Sequence, residues 1–343
     1  MPNPKRKSQI LILTSFSRSP GGYTSYTKTL TDFLKRRGIE CDWLSPEDIG
    51  YVSSLLRATS RFRSSAKSAS NRKSRVAQTA IWLLRVLGSI VLLRIAATCR
   101  NASLTKVIGM DALAAIAVKP DLLVVHGAYA NEIRSRIPGR LAFALALRLE
   151  VGAYRRARRI VAVDLFLQQR ILNLTNLSSI LVPNPVRLDV FTIIDKKVAK
   201  DRLRFPTDRT LIIFMGMTPE RYADQIPVWQ RDLEAFGFLT IRMNRPEIPY
   251  ERMPLYYNAA DMVVSMSTFP AYQRAAIESL ACGTPIISNN SPLAFYSSPE
   301  HLVKTIRSFK FSESRQQMRN RVLGFDVNLI CTQLLGVIMG STA

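Results

Sequence analysis

The chain has 343 residues, 47% of them hydrophobic, with modest glycine and proline; that is enough material for roughly two domains with real cores, and it excludes a disordered or fibrous protein. The formal charge is +23, from 48 Lys and Arg against 25 Asp and Glu, which favours anionic partners: a lipid surface, nucleic acid or phosphorylated substrates. The four cysteines, Cys41, Cys99, Cys282 and Cys331, form no CxxC pair. With only His126 and His301 beside them, they predict reduced thiols rather than a zinc site.

Taken in order, Ile10–Thr14 is a short β run. It is followed by a Ser-Arg-Ser-Pro-Gly-Gly turn and a helical pattern from Tyr23 to Arg37 that Gly38 stops. A strand from Ile39 to Leu44 completes the opening of a doubly wound α/β domain. In such a turn Gly21 and Gly22 let backbone pass close to a ligand, and the helix amino terminus offers N–H groups to an anion.

Between Asp48 and Asp111 there is no acidic residue, while eleven Arg and Lys fall there. Within that stretch Arg75–Arg100 reads as a helix with Ile81, Leu84, Leu87, Val91 and Ile95 on an apolar face. Arg85 and Arg94 interrupt it, so it predicts an interfacial rather than a spanning segment. Leu122–Val125 is a buried strand that ends at His126-Gly127, the end at which open α/β sheets place ligands. A helix over Leu141–Arg158 and a strand over Arg159–Val163 follow.

Val182-Pro183-Asn184-Pro185 punctuates the chain as a linker. The predicted domains are 1–182, with a basic, membrane-facing segment at 51–100, and 183–320, with residues 321–343 as a helix returning toward the first. In the second domain, strands over Thr210–Met215, Phe238–Arg242 and Met262–Met266 bracket an irregular stretch and a helix near Met253–Ala260. A helix over Arg274–Ala281, the turn Cys282-Gly283-Thr284-Pro285 and a strand over Ile286–Ser288 close the pattern. Two such domains predict a cleft between them.

The run Leu-Tyr-Tyr-Asn-Ala-Ala-Asp (255–261), Ser267 and Ala-Ile-Glu-Ser-Leu-Ala-Cys-Gly-Thr-Pro-Ile-Ile-Ser-Asn (276–289) resembles the donor-binding core of GT-B glycosyltransferases of family 4. Pro20-Gly21-Gly22 with Tyr26 and Leu30, the run 155–163, and Val182–Val186 with Phe191 are similar to other parts of that family. The resemblance implies two Rossmann-like domains and transfer of a hexose-like sugar from a nucleoside-diphosphate sugar to a hydroxyl acceptor, with retention and without a metal. It places such a protein in cell-surface glycan or polysaccharide synthesis, with a lipid-linked or glycan acceptor, in the cytoplasm at the inner face of the plasma membrane.

It further implies that Glu278 accepts ribose hydroxyls, that Gly21, Gly22 and Gly216 lie near the donor phosphates, and that His126 contacts the transferred sugar. Arg221, or Arg242 at another strand end, would neutralise the diphosphate leaving group. The family's first glutamate is here Pro270, and its Gly-Phe-Gly is Ala271-Tyr272-Gln273, which leaves Tyr272 and Gln273 as the polar groups for the donor sugar. Met217 stands near the family's arginine position, and Thr210–Asp261 has room for fewer β-α units than the family usually inserts. Two other readings fit these departures and the charge: a non-catalytic homologue that binds a glycan or stabilises a protein partner, and a glycosyltransferase directed at nucleic acid.

Overall fold

The structure, a computed structural model, describes residues 10–15, 22–45, 72–99, 106–136, 140–215, 225–243, 248–266, 274–310 and 312–340. The chain gathers into two compact units. The first comprises Tyr23–Val182 with the opening strand and Leu334–Ala343; the second comprises Pro183–Gln333 together with Gly22, the first residue of α1.

The first unit is built from β1 (Ile10–Leu13), α1 (Gly22–Arg36), β2 (Cys41–Leu44), α2 (Arg72–Cys99), β3 (Lys106–Gly109), α3 (Ala112–Val118), β4 (Leu122–Val125), α4 (Tyr129–Arg136), α5 (Arg140–Arg156), β5 (Arg159–Ala162), α6 (Leu165–Thr175) and β6 (Ile180–Leu181). The strands form one parallel sheet in the order β2-β1-β3-β4-β5-β6. The inner strands β1 and β4 are short apolar runs buried on both faces, as helix-covered parallel sheets require, while the edge strands β2 and β6 are partly exposed. The order reverses between β1 and β3, the kind of switch point at whose strand carboxyl ends open α/β sheets place ligands. Asp111 and Asp164 start α3 and α6 by accepting the amides of Ala114 (2.9 Å) and Leu167 (2.8 Å), the orphan donors of each first turn.

The long helix α2 carries two apolar stripes. Trp82, Val86, Leu93 and Ala97 are buried in the cores of this unit. Of the stripe singled out from sequence, Leu84, Leu87, Val91 and Ile95 face outward, each more than half exposed, with Arg94 exposed beside them; the Ile81 side chain lies outside the described residues. Periodicity could not separate the two faces, because the helix is apolar nearly all round. Among the described residues no helix is long and apolar enough to cross a membrane.

The second unit contains α7 (Lys196–Leu203), β7 (Leu211–Met215), α8 (Gln225–Glu234), β8 (Leu239–Met243), α9 (Met253–Ala259), β9 (Met262–Val264), α10 (Arg274–Ala281), β10 (Ile286–Ser288), β11 (Phe295–Tyr296), α11 (Leu302–Ser308), α12 (Arg315–Asn320) and the first half of α13 (Val327–Met339), whose residues from Leu334 on group with the first unit. Its parallel sheet has the order β11-β10-β9-β7-β8, with the reversal between β7 and β9. Strand β7 shows why the sheet is sandwiched: Leu211, Ile213 and Met215 enter one core, while Ile212 and Phe214 enter the other. The stretch expected to be irregular contains α8. Its Pro227 sits in the first turn, where a missing N–H costs nothing, and Ile226, Trp229 and Leu233 are buried at helical spacing.

Candidate functional site

In the second unit the reversal point is bordered by the ends of β7 and β9 and by α10. Gly216, Met217 and Arg221 follow β7, and Pro270, Tyr272 and Gln273 precede α10; all six lie outside the described residues, as does Gly21. Arg242 sits one residue before the end of β8, paired in register with Phe214, with its side chain exposed.

Glu278 lies on α10, whose residues from Ala275 to Ala281 are all buried, and is itself only 1% exposed. Tyr257 Oη of α9 donates to its Oε2 (2.9 Å), and Arg274, one turn earlier, brings Nε to 3.0 Å from its Oε1. The pair at Arg274 is an ion contact rather than a well-directed hydrogen bond. Arg274 is fixed in turn by Tyr250, to whose hydroxyl it donates (3.0 Å) and over whose ring its guanidinium lies at 5.2 Å. A buried carboxylate without such partners would be strongly penalised. The negative group is therefore held on α10 by residues that the sequence reading did not assign.

The rest of the Leu-Tyr-Tyr-Asn-Ala-Ala-Asp run is scaffold. Asn258, fully buried, donates Nδ2 to the carbonyls of Thr192 (2.9 Å) and Pro254 (2.8 Å), and its Oδ1 accepts the Ile194 amide (2.7 Å) and Arg315. Asp261 accepts Lys196 (2.6 Å), Lys200 (3.0 Å) and the Leu211 amide (2.8 Å). Burial alone would raise its carboxyl, but these donors hold it below the ordinary carboxylate value.

The carboxyl end of α10 is closed by arginines of α12. Arg315 donates to the carbonyls of Cys282 (2.8 Å), Gly283 (3.3 Å) and Ile194 (2.6 Å), and Arg319 donates to those of Ala281, Phe191 and Leu188. Cations at a helix carboxyl terminus satisfy its orphan carbonyls and match its dipole. Gly283 is required there: its φ is +65°, and an added Cβ would lie 2.6 Å from Cβ of Arg315. The Cys282 thiol is pushed up by burial and by the charge of Glu278, so it behaves as a packing group.

In the first unit His126 stands at the carboxyl end of β4, half-buried, with its ring edge-on to Tyr26 of α1 at a centroid separation of 4.3 Å. Gly22 is the first residue of α1. His126 borders a cavity of 330 Å³ together with Ser15 and Asp111, which follow β1 and β3. The Ser15 amide donates to Asp111 Oδ2 (2.6 Å), tying the two loops at the reversal point; burial raises the Asp111 carboxyl against the pull of this and other amides. The cavity also touches Glu150 and Tyr154 of α5.

Glu150, 0% exposed, accepts from the Ala130 amide (2.8 Å), Tyr154 Oη (2.8 Å) and Arg170 Nε and Nη2 (2.7 and 3.1 Å). Burial and the neighbouring Glu150 push the Tyr154 phenol up; burial opposes charging Arg170, yet Glu150 holds its guanidinium above the ordinary value. None of these groups was singled out from sequence, although Glu150 and Tyr154 stand one helical turn apart.

No known family model and no curated protein matches the chain. Solved structures do. Sucrose-phosphate synthase of Thermosynechococcus elongatus aligns with a TM-score of 0.69 at 14% identity, over 97% of this chain and 98% of that one. HepE of Anabaena, in complex with UDP and glucose, aligns at 0.62 and 12% identity over 97% and 99%. A glycosyltransferase from Rickettsia africae aligns at 0.60 and 15% identity over 98% of each chain. At such identities the likeness is one of fold: the chain has the GT-B-like fold of these proteins, two α/β units each built on a parallel sheet.

Proposed function

We propose that the protein is a glycosyltransferase that moves a hexose-like sugar from a nucleoside-diphosphate sugar to a hydroxyl acceptor. The observation that carries this reading is Glu278, a charged carboxylate held by Tyr257 and Arg274 on the helix beside the strand reversal of the second unit, in a chain whose fold is that of nucleotide-sugar enzymes. In this reading Glu278 accepts the ribose hydroxyls, since a carboxylate offers paired acceptors to a vicinal diol. Gly21, Gly22 and Gly216 border the phosphates, and Tyr272 and Gln273 contact the donor sugar. Arg221 and Arg242 stabilise charge on the nucleoside diphosphate as the anomeric carbon–oxygen bond breaks, and His126 contacts the sugar. The resemblance supports membership of family 4, retention at the anomeric carbon and a place in cell-surface glycan synthesis.

The test is product release: purified protein is offered UDP-, GDP- and ADP-sugars, with and without a membrane extract. Transfer with release of one nucleoside diphosphate is expected. No release and no calorimetric binding of any sugar nucleotide by a folded sample would remove the enzyme reading and leave the non-catalytic one, which Pro270 and Met217 favour.

The outward stripe of α2, beside Arg94 and in a stretch without acidic residues, supports attachment to an anionic membrane surface. Co-sedimentation with phosphatidylglycerol vesicles, and not with phosphatidylcholine vesicles, is the expected result. Tighter binding to duplex DNA than to either would favour the nucleic-acid reading instead.

A further inference from the structure

A histidine at a strand end can act on a ligand only if its ring is held, because its two side-chain torsions leave several orientations open. The next residue here, Gly127, has no side chain to pack against it. The contact that holds His126 comes from another element. Tyr26 of α1 meets it at an interplanar angle of 72° and a centroid separation of 4.3 Å, the edge-to-face arrangement that aromatic pairs favour, at its close limit. Tyr26 has little room to yield. It is 2% exposed and shares one face of α1 with Leu30, Phe33 and Leu34, all buried at helical spacing. His126 is only half-buried and borders the 330 Å³ cavity. One ring is part of a core and the other faces open space, so the buried ring sets the orientation of the exposed one. Helix α1 begins at Gly22, one turn before Tyr26, which puts the glycine turn and the holding ring on one rigid segment about 6 Å apart along its axis.

We infer that Tyr26 is the positioning residue of His126: its buried ring keeps the imidazole in the one orientation from which it meets a sugar at the carboxyl end of β4. The importance of this for transfer rests on the glycosyltransferase reading; the holding of the ring does not. Loosening the ring costs rate rather than binding. A misplacement of about 1 Å at a reacting centre lowers turnover about 10²-fold, whereas contacts to the nucleotide, which that reading gives to Glu278 in the other unit, stay as they are.

The test uses the full-length protein with isotope-labelled histidine, read by NMR. The chain has two histidines, so His301→Gln identifies the ring signals of His126. Those signals should be displaced by the ring current of Tyr26, and carbon relaxation should show a ring as ordered as the backbone around it. Tyr26→Leu should abolish the displacement and free the ring on the nanosecond scale, while Tyr26→Phe should keep both properties. Tyr26→Met, an adaptable apolar side chain without a ring, serves where the leucine variant does not fold. With the sugar nucleotide that the wild type turns over, Tyr26→Leu should lower kcat about tenfold or more and leave KM for the donor within about twofold, with recovery in Tyr26→Phe. An undisplaced wild-type signal, or a ring equally ordered without Tyr26, overturns the inference. So does an unchanged kcat in an active enzyme. Absence of turnover in the wild type sinks the transferase reading alone, and the relaxation data then decide whether Tyr26 holds the ring.

Discussion

Each unit buries one glutamate against an arginine and a tyrosine, and the two clusters are built differently. Glu150 takes hydrogen bonds on both oxygens from three residues, so its acceptor capacity is largely spent inside the protein. Glu278 receives Tyr257 on one oxygen and an ion contact from Arg274 on the other, and Arg274 directly follows the loop in which the family-like motif places the sugar-binding groups. Burial and charge pairing are thus shared by a structural carboxylate and a candidate binding one. What distinguishes them is which chain segments adjoin them: Glu150 packs among α4, α5 and α6, whereas Glu278 lies on the helix that follows the family-like loop.

The difference can be broken by substitution. The largest effect is expected from Glu150→Ala, which strands the Arg170 guanidinium and the Ala130 amide. Urea unfolding should show a loss of about 3–5 kcal/mol, with nucleotide affinity of the folded protein unchanged. Glu278→Gln keeps the shape and removes the charge. Calorimetry with the preferred sugar nucleotide should show a loss of about 1.5–3 kcal/mol, the worth of hydrogen bonds to a charged group. Unchanged affinity would move the ribose site away from α10. Tyr257→Phe deletes one donor to Glu278 and should cost about 1 kcal/mol in unfolding experiments, with a smaller change in nucleotide affinity.

The smallest effect concerns acid. The Asp261 carboxyl is held below its unfolded value, so its contribution is present above the unfolded pKa and is lost as pH falls through the folded one. Asp111 is raised, so its burial weighs against folding as pH rises from the unfolded value through the folded one. Asp261→Asn should therefore flatten the acid limb of the urea midpoint against pH, and Asp111→Asn should steepen it. The same slope in both variants would contradict the assignment.

Much of the fold was readable because its signals are local. The buried strand runs, the stop at Gly38 with φ +71° and the short turn at Cys282–Pro285 all follow from neighbouring residues. The candidate site was readable only where a motif is contiguous. Glu278 was singled out and is central; Arg274, four residues earlier on the same helix, could have been paired with it from helical spacing, whereas Tyr250, which holds Arg274 through its hydroxyl and ring, could not. The Glu150 cluster depends on Arg170, twenty residues away on another helix, so only Tyr154 could have been paired with it from helical periodicity. On α2 the sequence singled out the stripe that lies outside the core and missed the one inside it, Trp82, Val86, Leu93 and Ala97, because on a helix apolar on most sides the pattern does not say which face finds a core.

The grouping of Leu334–Ala343 with the first unit makes the second an insertion within the first. Arg159, at the start of β5, donates to the Val337 carbonyl (2.7 Å), so a residue of the first unit waits for one made 178 positions later. Apart from Gly22, the second unit is a single segment that is complete once residue 333 has emerged. The first, though begun earlier, gains its last contacts afterwards. On the ribosome the order of completion is therefore the reverse of the order of synthesis, and Arg159→Ala should slow the final, not the first, stage of assembly.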